Sequence, residues 1–335
     1  MLKPTLVSSD MRYWRIRPDA RLIPWLHCYY IVEDIGSDSG IPARNAPSEE
    51  LLLPDGHSEI VFSFGAGFER WAVGAADRSA VMQPSYLIGG RSHSVLTRNL
   101  GPLSLVGVKL DSRALRTLIA TPLAEFRDST LTLRDLNDRA LLELEDALAQ
   151  LTCADRIAQL LDRFFLRALL SIPSAASATD ALLQKIRRER GLLSIMDWIR
   201  DHRIDSRNLE RQFCAWTGMT PKRFARVIRF KHSYHRLIVG PPATATHLDG
   251  YYDQSHFNRE FRYFTGAAPG MRLTGAMQPC TTVTDHLIDS EFGSGAGSTA
   301  ATGRSRDPSV DAPARAPTAA FSPRHSRTVP ARRRS

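Results

Sequence analysis

The chain has 335 residues, of which 43% are hydrophobic and 24% charged, with a formal net charge of +9. That length allows two domains with sizeable cores. The composition describes a soluble globular protein, and no stretch approaches the ~18–20 apolar residues of a membrane span. The 4 cysteines, Cys28, Cys153, Cys214 and Cys280, form no CxxC and no Cys/His metal spacing. That argues for a reducing compartment and against structural zinc.

The opening segment, MLKPTLVSSDMRYWR, lacks the apolar run of a signal peptide, so a cytoplasmic location is expected. Residues 10–110 read mostly as strands. LHCYYIVE (26–33), SEIVFSF (58–64) and LSLVGVKL (103–110) are β-branched and aromatic runs. Turn signals bound them, among them Pro54-Asp55-Gly56 and Gly89-Gly90. Short strands at this spacing predict a small barrel or sandwich. From Asp111 the pattern turns helical. Leu115, Leu118 and Ile119 share a face, as do Leu141, Leu144, Leu148 and Leu151, and then Ile157, Leu160, Leu161, Phe164 and Phe165. Residues 1–172 thus read as a mixed-β domain with a helical C-terminal part. Residues 173–181 read as a linker, and 182–279 as an all-α domain. Residues 285–335 are rich in Gly, Ala, Ser, Thr, Pro and Arg, and are expected to be a disordered basic tail. The fold class is α+β.

Charge is not spread evenly. Residues 1–181 hold 19 Lys and Arg against 22 Asp and Glu, whereas 182–279 hold 17 against 8. A basic surplus confined to one domain is the footprint of a polyanion-binding surface or of a solvated basic face. A repeat favours the first. Sliding the chain by 48 residues lays Leu209, Arg211, Phe213, Thr217, Gly218 and Pro221 on Phe257, Arg259, Phe261, Thr265, Gly266 and Pro269. Asp205 falls on Asp253, and Trp216 on Phe264. Each copy predicts a short helix with an Asp N-cap, one apolar stripe (Leu209, Phe213, Trp216; Phe257, Phe261, Phe264) and a glycine at C′. Its opposite face carries Arg207, Asn208 and Arg211, or Gln254, Ser255, His256, Asn258, Arg259 and Arg262. Arg can read guanine and Asn or Gln adenine, and a helix fits the major groove. A shorter helical stretch precedes each, Ser194–His202 and roughly 244–251, giving two helix-turn-helix units. Between them Lys222–Ile238 predicts a rod of roughly 25 Å, comparable with one DNA turn. Its cations Lys222, Arg223, Arg226, Arg229, Lys231 and Arg236, with Arg262, are candidates for phosphate contacts.

Around these residues the chain resembles the DNA-binding domain of the AraC/XylS transcriptional regulators. SRNLERQFCAWTGMTPKRFARVIRF is similar to the family's first recognition helix and linker helix, and GYYDQSHFNREFRYFTGAAPG to its second recognition helix and closing turn. The resemblance covers about residues 185–275. It implies two helix-turn-helix units joined by a central helix, with Arg207 and Arg211 in base-reading positions of the first. Gln254, Ser255, His256 and Arg259 fill the corresponding part of the second. The chain departs from the pattern at Ile199 and Thr246, where the family has a small residue, and at Arg203, where it has a turn glycine; Gly250 is kept. The N-terminal half resembles a cupin-like sensor domain attached to such regulators, which implies that residues 1–172 are a small β-barrel domain for sensing or oligomerisation. YWRIRPDARLIPWLHCYYIVED, LLLPDGHSEIVFSF, IGGRSHSV and LVGVKLDSRALRTL follow its order.

His57, Glu59 and His93 have no HxH spacing, so no metal, cofactor or catalytic residue is assigned. Trp14, Trp25, Tyr29, Tyr30, Phe62 and Phe64 read as core, Asp55 and Gly56 as turn residues, and Glu143 and Glu145 as solvated. The expectation is a sequence-specific DNA-binding transcription regulator, not an enzyme, located at the nucleoid and binding double-stranded DNA. RNA polymerase, a small-molecule effector and a second copy of the chain are the further partners to test. A cupin-like metal enzyme and a non-specific DNA-binding protein are the alternatives.

Overall fold

The computed structural model describes residues 5–8, 11–34, 49–74, 79–81, 85–119, 123–169, 177–239 and 250–269. The expected tail, residues 244–249 of the expected helix with Thr246, and Cys280 lie outside these residues.

The first half is built on two antiparallel sheets. Its strands are β1 (Thr5–Ser8), β2 (Met11–Ile16), β3 (Leu26–Asp34), β4 (Glu49–Leu52), β5 (Ser58–Ser63), β6 (Phe68–Ala72), β7 (Ser79–Val81), β8 (Tyr86–Ile88), β9 (Val95–Asn99), β10 (Ser104–Leu110) and β11 (Thr130–Thr132). The 7-stranded sheet runs β1-β2-β3-β10-β5-β8-β11 and the 4-stranded sheet β4-β9-β6-β7. The three β-branched runs read from the sequence become β3, β5 and β10, three neighbours at the centre of the larger sheet. β10 pairs Val106 with Ile31 and Phe62, and Val108 with Tyr29 and Ile60. Gly107 stands opposite Tyr30, and a Cβ there would lie 1.9 Å from the Tyr30 ring. The missing side chain is what lets that ring lie across β10.

Helices close one face of this sheet. Asp111 caps α1 (Ser112–Leu118) by accepting from the Arg113 N–H. A 3-10 turn (Leu123–Phe126) and α2 (Leu133–Leu136) lead to α3 (Arg139–Ala149) and α4 (Ala154–Leu169). Leu141, Leu144 and Leu148 of α3, with Ile157, Leu161 and Phe165 of α4, bury the predicted stripes against Tyr29, Phe62, Val108 and Leu110. Burial of each such side chain contributes about 1.5–3 kcal/mol. Glu143 is exposed beside Arg139, but Glu145 is not simply solvated, because it accepts a hydrogen bond from Ser85.

The second half is helical: α5 (Ala178–Arg188), α6 (Ile195–Asp201), α7 (Ser206–Thr217), α8 (Pro221–Val239) and α9 (Gln254–Thr265). α5 starts inside the 173–181 stretch expected as linker. Ser177 caps it, and Thr179 and Leu182 are buried. A second core joins Leu182, Ile186, Trp198, Leu209, Phe213, Phe224, Phe230, Phe257, Phe261 and Phe264, and takes in Leu51 and Leu53 from the sheet domain. Phe261 is fully buried among Phe230, Tyr234 and Phe257, with ring centroids 5.7–6.0 Å apart. Phe261→Ala should therefore lower unfolding free energy by about 3–5 kcal/mol. Urea titration measures this, and an unchanged midpoint would mean that the aromatic stripe is not the core of the second unit.

Candidate nucleic-acid interface

The two repeat copies have the same local geometry. Asp205 accepts from the Arg207 N–H at the start of α7, and Asp253 from the His256 N–H at the start of α9. Gly218 and Gly266 end the helices at φ 72 and φ 76, in the left-handed region that favours glycine. Between cap and turn the hydroxyl pattern repeats. Thr217 Oγ1 lies 2.9 Å from the Phe213 carbonyl and 3.2 Å from the Met219 N–H. Thr265 Oγ1 lies 2.9 Å from the Phe261 carbonyl and 3.3 Å from the Ala267 N–H. One stripe residue behaves differently. Phe264 is buried and stacks on Phe230, whereas Trp216 is half-buried under the Arg116 guanidinium of α1.

The polar faces point away from the core. Arg207, Asn208, Arg211, Gln254, Ser255 and Arg259 are exposed, and His256 and Asn258 are half-buried. Arg211 Nη2 donates to Asn208 Oδ1 at 2.9 Å, and Gln254 Nε2 to Asn258 Oδ1 at 3.0 Å. These pairs restrain the long side chains before any partner arrives. The His256 ring packs edge-on against Tyr251, with centroids 5.3 Å apart. The departures from the family pattern are absorbed locally. Ile199 packs against the second core, and Arg203 takes the turn at φ 52.

The phosphate candidates divide. Lys222 and Arg262 are exposed, and Arg223 donates to the Tyr263 hydroxyl at 3.2 Å. Arg226 is already engaged within the domain. Its Nε lies 2.8 Å from both oxygens of Glu260, and its guanidinium covers the Tyr263 ring at 4.2 Å. Arg229 also turns to Glu260, at 3.9 Å. Lys231 is 4% exposed and faces the sheet domain.

Lys231 reaches a cavity of about 100 Å³ lined by strands of both sheets. Val32, Val61, Phe68, Tyr86 and Leu105 make its apolar walls, and Tyr30, Asp55, Glu59, Arg91, Lys109 and Lys231 its polar end. Asp55 is more than a turn residue. It pairs with Lys109 and accepts from the His57 N–H at 3.0 Å. Burial pushes its carboxyl up, but the Lys109 ammonium and His57 outweigh that and hold it well below the usual range. Arg91 lies 3.3 Å from Glu59, which also accepts from the Tyr30 hydroxyl at 3.2 Å. Burial depresses Lys231 to about 7, and Lys109 and Arg187 reinforce that against the opposing pull of Asp55. The seam continues through Arg187 of α5. It donates to Gly56 O at 2.7 Å and to His57 Nε2 at 3.0 Å, and lies 3.4 Å from Asp111. An arginine cannot accept, so His57 carries its proton on Nδ1, which faces Asp55 at 3.6 Å. His57, Glu59 and His93 form no metal site. Among the described residues no group of three or more His, Cys, Asp or Glu side chains could hold an ion. No helix among them is long and apolar enough to cross a membrane.

Residues 198–272 match a family described as a helix-turn-helix domain, and residues 14–132 one described as a domain of unknown function (DUF6597). Residues 198–272 are an AraC-type helix-turn-helix domain. The chain therefore carries the DNA-binding domain of a transcription regulator. No curated protein sequence matches the chain. Among solved structures it is similar to ToxT from Vibrio cholerae, at 10% identity over 68% of this chain and 94% of that one, with TM-score 0.40. ToxT bound to (E)-4-(8-methylnaphthalen-1-yl)but-3-enoic acid matches at 10% identity over 68% and 98%, also with TM-score 0.40. Unsaturated fatty acid bound ToxT matches at 11% identity over 79% and 95%, with TM-score 0.36.

The burial of Lys231 and of Glu260 has a readable signal in the sequence. Lys231 lies four residues after Val227 and three before Tyr234, on the apolar face of α8. Glu260 lies three after Phe257 and four before Phe264, on the aromatic face of α9. Arg226→Ala should thus destabilise the α8–α9 junction by about 1–3 kcal/mol while leaving the salt dependence of DNA binding unchanged. Lys222→Ala should do the reverse, reducing the salt slope by about 1. Denaturation and binding titrations on both variants decide this, and a reduced slope for Arg226→Ala would return it to the phosphate contacts.

Lys231 also sets a pH signature. Its folded pKa of about 7 lies below the ordinary lysine value of 10.5, so the unfolded chain binds the extra proton between those values. Stability should rise with pH through that window, by up to about 1.4 kcal/mol per unit. Lys231→Met should be more stable than the parent at pH 7 and should lose that rise. Thermal unfolding between pH 7 and 10 measures both, and parallel curves for the two proteins would show that the ammonium is solvated.

Proposed function

We propose that the protein is an effector-responsive, sequence-specific transcription regulator that inserts α7 and α9 into successive major grooves. The observation that carries this reading is the duplication itself: two helices with matching caps and turns, each buried behind and polar in front. In this reading Arg207, Asn208 and Arg211, with Gln254, Ser255, His256, Asn258 and Arg259, face bases. Lys222, Arg223 and Arg262 hold phosphates. α8 has 19 residues and spans about 28 Å, a scale suited to spacing two readers one DNA turn apart. The effector occupies the cavity between the sheets. Its lining holds Arg70, Arg91, Lys109 and Lys231 against Asp55 and Glu59, which suits an apolar body with an acceptor-rich head. The same reading has the protein act at the nucleoid in the cytoplasm, with RNA polymerase and a second copy of the chain as further partners.

Selection from random DNA with the full chain should recover a preferred site. On that site Arg211→Ala or Arg259→Ala should cost about 1–3 kcal/mol, with little change on random duplex. Affinity should fall steeply between about 50 and 200 mM salt. Equal losses on both DNAs would make these arginines phosphate contacts and leave sequence reading unsupported.

A further inference from the structure

Near the end of α9 stands a residue that neither the aromatic core nor the base-facing set accounts for. Tyr263 is 43% exposed. Three contacts hold its side chain. The ring packs edge-on against Phe264, with centroids 5.0 Å apart. The Arg226 guanidinium covers the ring at 4.2 Å, and is itself fixed by both oxygens of Glu260 at 2.8 Å. The hydroxyl accepts from Arg223 Nη2 of α8 at 3.2 Å. A guanidinium has no acceptor, so the Tyr263 proton is directed elsewhere. Among the described residues no acceptor takes it. Arg223 likewise keeps donors beyond the one that meets Tyr263.

Position identifies the missing acceptor. Tyr263 follows Arg259 by four residues, so it lies one turn further along the same face of α9. Exposed Arg262 precedes it in the chain, and exposed Lys222 precedes Arg223. Glu260, the carboxylate behind them, is 5% exposed and already committed to Arg226 and Arg229. An acceptor arriving from solvent therefore meets a guanidinium and a hydroxyl side by side, on a cationic surface. We propose that Arg223 and Tyr263 together form a phosphate site, which clamps one phosphodiester of the DNA backbone beside the groove that α9 enters. This rests on the regulator reading above and deepens it by adding a neutral donor and a joint contact from α8 and α9. Phosphate oxygens accept from arginine and tyrosine alike, whereas the bases are read from the N-terminal part of such a helix. A charge-assisted hydrogen bond from each side chain fits the anion.

The consequence is a register mark. The two donors come from different helices, so one backbone position is gripped by α8 and α9 at once, and that fixes how α9 lies along its groove. The first unit has no counterpart. The 48-residue repeat places Ala215 at this position, and its side chain carries no donor. The clamp therefore belongs to the second unit alone.

The test measures binding of the full-length protein to its selected site and to a random duplex. Tyr263→Phe keeps the ring and removes only the donor. With its circular dichroism unchanged, it should bind both DNAs about tenfold more weakly, the scale of a hydrogen bond to a charged group. Its salt slope should match the parent's, because a neutral hydroxyl releases no counterion. Arg223→Ala should also weaken both complexes and should lower the slope by about 1. The double variant should lose less than the product of the two factors, because both groups hold one phosphate. A neutral methylphosphonate, moved one position at a time along the selected site, locates the contact. The losses from Tyr263→Phe and from Arg223→Ala should vanish at the same phosphate. Unchanged affinity of Tyr263→Phe, a loss on the selected site alone, or losses that vanish at different phosphates overturn the proposal. If selection yields no preferred site, the regulator reading fails, and the random duplex still decides the clamp. A preferred site that Tyr263→Phe binds as tightly as the parent defeats the clamp and spares the regulator reading.

Discussion

One face of α8 holds the C-terminal domain together. Phe224 meets Phe213 edge-on at 5.6 Å, and Phe230 lies flat on Phe264 at 4.3 Å, so a single helix completes the cores of both helix-turn-helix units. Neither unit is large enough to bury its own stripe. A short isolated helix is marginal in water even with good caps. The caps of α7 and α9 therefore set where each helix begins and ends, and α8 supplies most of the burial that makes them persist. The polar faces are available to a partner because the apolar faces have been used up on the same rod.

A second constraint lies where the rod meets the sheets. Leu51 and Leu53 enter the helical core, Asp55, Lys109 and Lys231 are buried at one end of the cavity, and Arg187 reaches Gly56 and His57 beside them. Ion pairs of this kind are weak evidence for stability, since desolvation offsets much of the attraction. Removing Asp55 or Lys109 is costly all the same, because its partner is left uncompensated. The arrangement thus favours one relation between sheets and helices over alternatives that an apolar seam would tolerate. The Tyr30 ring over Gly107 extends this logic into the sheet, placing a hydroxyl against Glu59 inside the cavity.

Much of this was legible in the linear sequence. The repeat gave the caps, the turn glycines and the exposed arginines, because each depends on local backbone chemistry that a single residue type satisfies. The central strands were legible for the same reason, as β-branched runs between turns. What escaped were pairings between distant segments. Arg226 looks like any surface cation until Glu260, 34 positions on, is known to be buried beside it. Asp55 looks like a turn residue until β10 brings Lys109 to it. Trp216 occupies the register of Phe264, yet meets Arg116 of α1 instead, because the sheet domain covers that end of the first unit and periodicity carries no trace of such a contact.

The equivalent turns of the two units show how the halves of the molecule are coupled. Arg127 donates to the carbonyl of Gly218 at 3.4 Å, and a Cβ on Gly90 would sit 2.2 Å from Thr217 O. In the second unit a Cβ on Gly266 would lie 2.5 Å from Val73 Cγ1. The sheet domain thus touches α7 and α9 at their C-terminal turns, while the residues proposed to read bases stand in their N-terminal halves. An effector can shift DNA binding only by its differential affinity for two arrangements of the molecule. With both turns and Lys231 gripped by one domain, any rearrangement of that domain around a ligand acts on the two readers together. Coupling then passes through a packed seam whose members are each in contact, rather than through a flexible connection between independent parts.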